Sequence, residues 1–360
     1  MDLNFSLNKN IIDDIVNYPL TDFKMIKVKK FLSGVIGYVN FLDKNTVLIN
    51  IENNNYIENK STDLKKKKLE SFFDINTLCV TGINETTKTK PIVNRVLKKD
   101  VSRIAHNCCA FKDKTNKKIF AIGGRYERNP IPIKNIKKAQ KKQISTNAHK
   151  NNKGLYLLRC KNVKKGPWNI ENKNRPVIRE DPLSNFKKTS SYDSQLSCIY
   201  SQILQKYILS VRCNIEKGHR YFSILHSDNC LDWSKFYSPK LDPPFTIESN
   251  DQIYSVLLHE YLPKKLFLGV CLFYNKEKNI YGTKLFISKD SINWKDLGIL
   301  FYLPTSRMPR NGYIRPKVQC GGIFSEKNGN ISFYFYLYKQ RNKLFYFSKT
   351  YKFDEIILSN

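Results

Sequence analysis

The apolar residues of this chain come in short runs that alternate with polar positions, the period of a strand with one covered face. From Ile104 onward such runs recur at close intervals: KKIFAIGG, KGLYLLRC, QKYILSVRC, RYFSILHS, KKLFLGVCLFY, GTKLFISK and ISFYFYLYK, each broken by Gly, Asn, Asp or Lys turns. No long amphipathic helix is visible after residue 100, so this part of the chain reads as all-β. Residues 1–95 are less regular. There FLSGVIGYVNFLDKNTVLINI (31–51) predicts two or three strands, followed by the charged spacer STDLKKKKLE (61–70) and a further apolar fragment, INTLCVTGI.

A longer period lies over this one. Leu157-Leu158-Arg159-Cys160 runs through a turn to Trp168, Ser227-Asp228-Asn229-Cys230-Leu231-Asp232 runs to Trp233, and Ser288-Lys289-Asp290-Ser291-Ile292-Asn293 runs to Trp294. These are all the tryptophans of the chain, and their separations of 65 and 61 residues suit one four-stranded propeller blade each. Ser and Asp side chains in such a turn can accept from its amides while the indole packs back over the sheet, which gives the spacing a structural reason. Polar strand entrances repeat upstream: Arg103 to Asn107, Ser191 to Gln195, Ser249 to Tyr254 and Tyr313 to Lys317. The innermost strands of a propeller surround one channel, so these distant entrances would converge there, where a ligand site is expected.

The segments His106-Asn107-Cys108-Cys109-Ala110-Phe111 with Ile122-Gly123-Gly124, Tyr192-Asp193-Ser194, Val211-Arg212, Asp251-Gln252-Ile253-Tyr254, Leu268-Gly269 and the turns at 227–233 and 288–294 resemble a known family. They are similar to the five-bladed β-propellers of the arabinanase, xylosidase and fructosidase superfamily of glycoside hydrolases. The resemblance spans roughly residues 100–350 and rests on blade rhythm and strand entrances; sialidase-like propellers share the turn. It implies a propeller over 96–360 with a basic insertion at 127–150. Three placements stay open for residues 1–95: completing a blade, covering the channel, or packing as a small separate element. The glycine pairs 123–124 and 321–322 lack a phosphate-loop context and suit tight turns or close strand packing.

The resemblance also implies a channel pocket for a sugar with carboxylates on both sides of the scissile bond. One carboxyl protonates the leaving oxygen and one carboxylate attacks or activates water. Asp193 and Asp251 stand at suitable entrances, with Glu248 as the proton donor; Glu260 falls towards the outer end of its strand. For both aspartates a turn-capping role is the structural alternative. The first expected acidic position carries His106-Asn107, and Asn has no ionisable oxygen pair with which to act as base or nucleophile. The implied function is therefore a glycoside hydrolase, or a glycan-binding derivative with an incomplete carboxylate set. His106 and Asn107 would hydrogen-bond hydroxyls, Arg212 would reach the ligand or buttress Asp193, and Arg315 would meet an anionic group. Tyr254, Tyr192 or Tyr313 would supply the aromatic platform.

Charge adds a competing reading. The 62 basic residues against 31 acidic ones leave +31, yet 49 of the 62 are Lys and 13 are Arg. Lys supplies a diffuse charge where base-edge and bidentate phosphate recognition favours Arg. AT-rich coding would supply much of this Lys/Asn/Ile excess without selection for a ligand, and the composition resembles that of proteins of large DNA viruses. The alternative function is a basic virion-associated structural protein or a nonspecific nucleic-acid binder, using Lys65 to Lys68, the 127–150 insertion and other surface lysines on an anionic partner. Nine scattered cysteines without a Cys-x-x-Cys pair predict reduced, structural thiols, and Cys108 and Cys109 should point to opposite faces of a strand. No cofactor motif is present and no metal is assigned. Neither a secretory core nor a run of about 18 apolar residues occurs, which predicts an intracellular or virion protein without membrane insertion.

Overall fold

The structure, a computed structural model, describes residues 5–10, 24–27, 35–52, 75–81, 92–95, 108–115, 118–126, 153–160, 162, 168–179, 192, 194–214, 219–245, 251–275, 277, 280–304, 318–340 and 343–359. Strand β1 (Phe5–Leu7) lies at the amino terminus and β2 (Lys24–Lys27) follows it. Blade I is β3 (Val35–Asp43), β4 (Thr46–Glu52), β5 (Ile75–Thr81) and β6 (Ile92–Arg95) in that order. Blade II is β7 (Cys109–Lys112), β8 (Ile119–Tyr126), β9 (Lys153–Cys160) and β10 (Trp168–Ile170). Blade III has β11 (Ser197–Ser201), β12 (Lys206–Asn214) and β13 (Arg220–Ser227), with a single bridge from Ile224 to Tyr237 where an outer strand would run.

Short β14 (Lys240–Asp242) then lies parallel to the outer edge of blade IV. That blade comprises β15 (Asp251–Tyr261), β16 (Leu266–Asn275), β17 (Ile280–Ser288) and β18 (Asn293–Pro304). Blade V is β19 (Val318–Ser325), β20 (Ile331–Gln340) and β21 (Lys343–Tyr351), with β2 as its outermost strand. The closing β22 (Ile357–Ser359) pairs with β1. All pairings inside the blades are antiparallel, and the whole is a five-bladed β-propeller. The residues before 96 supply blade I and the outer strand of blade V.

Between successive blades lies one apolar layer. Leu42, Leu48, Cys108 and Trp168 fill the layer between I and II, and Cys109, Phe111, Leu196, Cys198 and Leu209 the next. Phe222, Ile253, Phe273, Phe286 and Trp294 join III to IV; Leu257, Leu268, Ile323, Phe333 and Phe335 join IV to V. Each such side chain, fully buried, contributes about 1.5–3 kcal/mol. The ring closes where Phe41 of blade I packs in tilted contact on Tyr334 and Tyr346 of blade V at centroid distances of 5.0 and 5.9 Å. Gly321 and Gly322 permit that approach: a Cβ on Gly322 would stand 2.7 Å from that of Phe41. Cys108 and Cys109 do face opposite layers.

The two complete Ser-to-Trp turns share one geometry. Ser227 Oγ accepts from the amides of Asn229 and Cys230, and Ser288 Oγ from those of Asp290 and Ser291. Cys230 and Ser291 take left-handed φ of 64° and 66°, and the indole N–H of Trp233 or Trp294 donates to the carbonyl of that residue. Trp168 departs from this pattern, for its buried indole nitrogen has no acceptor among the described residues. No helix among the described residues is long and apolar enough to cross a membrane.

The inner strands β3, β7, β11, β15 and β19 present their unpaired backbone edges to the channel, and side chains from other blades occupy those edges. Asn40 Oδ1 accepts from Ala110 N at 3.0 Å, and Ser197 Oγ from Leu258 N at 2.8 Å. Gln195 reaches across the channel: its Nε2 donates to Val39 O at 2.9 Å, and its Oε1 accepts from Gln319 Nε2 at 2.6 Å. Both glutamines are buried. Gln195→Ala should leave Val39 O and the Gln319 amide unpaired in the interior and cost about 2 kcal/mol. A thermal melt checks this, and an unchanged midpoint would mean the pair carries no stability.

Candidate functional site

Because strands alternate in direction, the start of β15, the end of β12, the start of β13 and the end of β16 meet at one mouth of the channel. Asp251 opens β15 directly opposite Asn275 of β16, whose Nδ2 donates to Asp251 Oδ1 at 2.8 Å. The other carboxylate oxygen lies 2.7 Å from Lys284 Nζ of β17, which also pairs with Asp296 Oδ2 of β18 at 2.9 Å. One ammonium thus joins three strands of blade IV. The ammonium nitrogen also lies over the Phe273 ring, 5.2 Å from the centroid. Burial works against the charge of Lys284, but Asp296 and then Asp251 outweigh it and hold the lysine above its ordinary value.

Three residues further, the register of β15 slips: Ile253 pairs with Phe273 and Ser255 with Leu272, which leaves Tyr254 as the extra residue of a β-bulge. Bulges re-aim a side chain and are frequent beside functional sites. The Tyr254 ring meets two guanidinium groups from blade III, Arg220 at 4.7 Å and Arg212 at 6.0 Å from its centroid. Arg220 Nη1 also donates to Gln252 Oε1, whereas Arg212 is buried. The amide of Tyr192, at a left-handed φ of 62°, donates to Arg212 O at 3.2 Å and so brings the segment before β11 alongside Arg212.

Of the residues singled out from sequence, the structure brings Asp251, Tyr254 and Arg212 to this mouth. His106, Asn107, Asp193, Glu248 and Arg315 lie outside the described residues, as do Tyr313, Lys65 to Lys68 and the insertion at 127–150. Tyr192 is not a channel platform: it is fully buried in the layer between blades II and III. Glu260 sits at the far end of β15, where it accepts from Ser201 Oγ and from the amides of Gln202 and Ile203, tying down the β11–β12 turn. Lys284, Asn275, Asp296 and Arg220 carried no sequence signal. Gln252 stood inside a quoted strand entrance but had no assigned role.

The opposite mouth holds a cavity of about 710 Å³ to which all five inner strands contribute. Its lining begins at Asn40, Ser197 and Gly322, one to three residues along the chain from Val39, Gln195 and Gln319 of the glutamine bridge. The acids around it are engaged: Glu326 with Lys44 and Ser332, Asp113 with Thr115 and the Lys118 amide. His259, bonded to Ser325 Oγ at 2.8 Å, is pushed down to about 4 by burial and is uncharged at neutral pH.

No protein family matches the chain by sequence, and no curated protein does either. Solved structures match in fold. A β-xylosidase designated RS223 superposes with a TM-score of 0.53 at 8% identity, covering 93% of this chain and 98% of its own. The β-xylosidase/α-arabinofuranosidase CoXyl43, of glycoside hydrolase family 43 from a compost microbial metagenome and solved with xylotriose, gives 0.53 at 9% over 94% and 97%. An N-acetylgalactosamine deacetylase from F. plautii, solved with blood group B trisaccharide, gives 0.51 at 9% over 89% and 90%. At these identities the likeness establishes the class of fold, a five-bladed propeller of the type used by these enzymes.

The ion pairs of Lys284 predict a pH signature. Removing one partner of a largely buried cluster costs about 3 kcal/mol, so Lys284→Met should melt well below the parent protein at pH 7. Because the folded-state value of Lys284 is raised, its contribution is complete below the ordinary 10.5 and is lost as pH rises through the folded value. The gap between the two melting curves should therefore begin to narrow above about pH 10.5. A gap of constant size up to pH 11 would remove the ion-pair account.

Proposed function

We propose that this protein is a carbohydrate-binding β-propeller whose ligand enters the channel mouth between blades III and IV. The observation that carries the reading is the bulge that sets Tyr254 at this mouth, with Gln252 and Arg220 beside it. An aromatic face flanked by amide and guanidinium groups suits a sugar ring, whose C–H face stacks while its hydroxyls take hydrogen bonds. The folds of the β-xylosidases and of the deacetylase support a carbohydrate ligand in general terms.

For Asp251 the geometry supports a positioning role. A general base or nucleophile needs an oxygen free to face the substrate, and both oxygens of Asp251 are engaged, by Asn275 and Lys284. Cleavage of a glycoside in this site would then rest on Asp193 and Glu248. With Asn107 in the first expected acidic position, we favour glycan binding over turnover.

A glycan array followed by calorimetry on the selected oligosaccharide tests this. Tyr254→Ala should weaken binding about tenfold, the loss of one stacking contact of about 1.4 kcal/mol. Aryl glycosides and the selected glycan should remain uncleaved. Turnover abolished by Asp251→Asn would restore a hydrolase reading, and an array silent to every glycan while polynucleotides bind in a salt-sensitive way would replace the proposal with the electrostatic alternative.

A further inference from the structure

Resting on that glycan site, we infer that its ligand carries an acidic group, a carboxylate or a sulfate ester, bound by Arg220 beside Tyr254. The argument begins with the charges at the mouth. Asp251 and Asp296 are both engaged by Lys284. Arg220 makes no ion pair among the described residues. It contacts two neutral groups, the Gln252 carbonyl and the Tyr254 ring.

The guanidinium is also held in a form suited to capture. Gln252 takes one Nη1 hydrogen and the guanidinium carbon lies over the tyrosine ring, two contacts that restrain the group and leave N–H donors for a ligand. A planar fork of that kind matches the two oxygens of a carboxylate or sulfate, and little rotamer entropy is left to lose on binding. A second guanidinium, Arg212, approaches the same ring from blade III. Arg220 is half-buried rather than fully solvated, so the interaction would be screened less than one made by surface lysines.

The test uses the full chain and three oligosaccharides of equal length and backbone: one neutral, one carboxylated and one sulfated. Affinities are measured by calorimetry in 150 mM salt. The expected result is binding of one or both acidic sugars at least tenfold tighter than the neutral one. Arg220→Gln should shrink the ratio of acidic to neutral affinity to less than twofold, whatever it costs the neutral sugar, and Arg220→Lys, which keeps the charge without the fork, should retain only part of that ratio. Lys327→Gln removes an equal charge from the exposed rim of the opposite mouth and should leave the preference intact. Matching melting curves for the arginine variants exclude a folding defect; were Arg220→Gln to unfold, the comparison of wild type with Arg220→Lys still decides. Whether the carboxylated or the sulfated sugar wins identifies the group. Equal affinity for all three sugars, or equal losses from Arg220→Gln and Lys327→Gln, would overturn the acidic preference and leave the glycan site standing. Failure of every sugar to bind would remove the glycan site and this inference together.

Discussion

A propeller has to satisfy the inner edge of every blade, and much of this molecule follows from how it does so. An inner strand has a hydrogen-bonded neighbour on one side only, and its other edge faces a narrow channel where an unpaired N–H or C=O costs about 1–3 kcal/mol. Here side chains from other blades serve that edge: Asn40 for Ala110, Ser197 for Leu258, Gln195 for Val39. Gln195 does more than its neighbours, because it links blades I, III and V, which do not all adjoin. The bridge locks the relative height of three inner strands and divides the channel into two unlike mouths. One gathers Tyr254, the arginines and the lysine cluster; the other opens into the cavity lined by all five inner strands.

The blade architecture was legible because it leaves local traces. Strand alternation is a nearest-neighbour property, and the Ser-to-Trp turn packs its hydrogen bonds into seven residues, so both can be read without knowing what lies opposite. Each of the seven apolar runs from residue 117 onward became a strand, β8, β9, β12, β13, β16, β17 and β20. The closing strand left no such trace. Lys24–Lys27 has four residues and draws its definition from β21, more than three hundred positions away.

The site was legible only at its strand entrance. Asp251 and Tyr254 could be singled out because they open a repeated unit, but their surroundings depend on cross-strand neighbours that no local pattern announces. Lys284 sits mid-strand in an otherwise apolar run, where a lysine reads as solvent-facing until Asp251 and Asp296 are seen to converge on it. Arg220 follows a turn and looks like any polar strand start. The error over Tyr192 had the same origin: its place beside Asp193 suggested a channel position, and only the packing of blade II on blade III shows where the ring goes.

The pairing of β2 with β21 also bears on how the chain is made. Lys24 meets Tyr346 and Lys27 meets Lys343, so the ring is joined across almost the whole length of the polypeptide. Contacts of such separation form late, since the loop they close must first lose its freedom. During synthesis the first strands leave the ribosome long before their partner exists. Until residue 343 and beyond emerge, the molecule is an open arc in which β2 has no partner strand and β20 lacks its second neighbour, and those exposed edges are ones other chains can join.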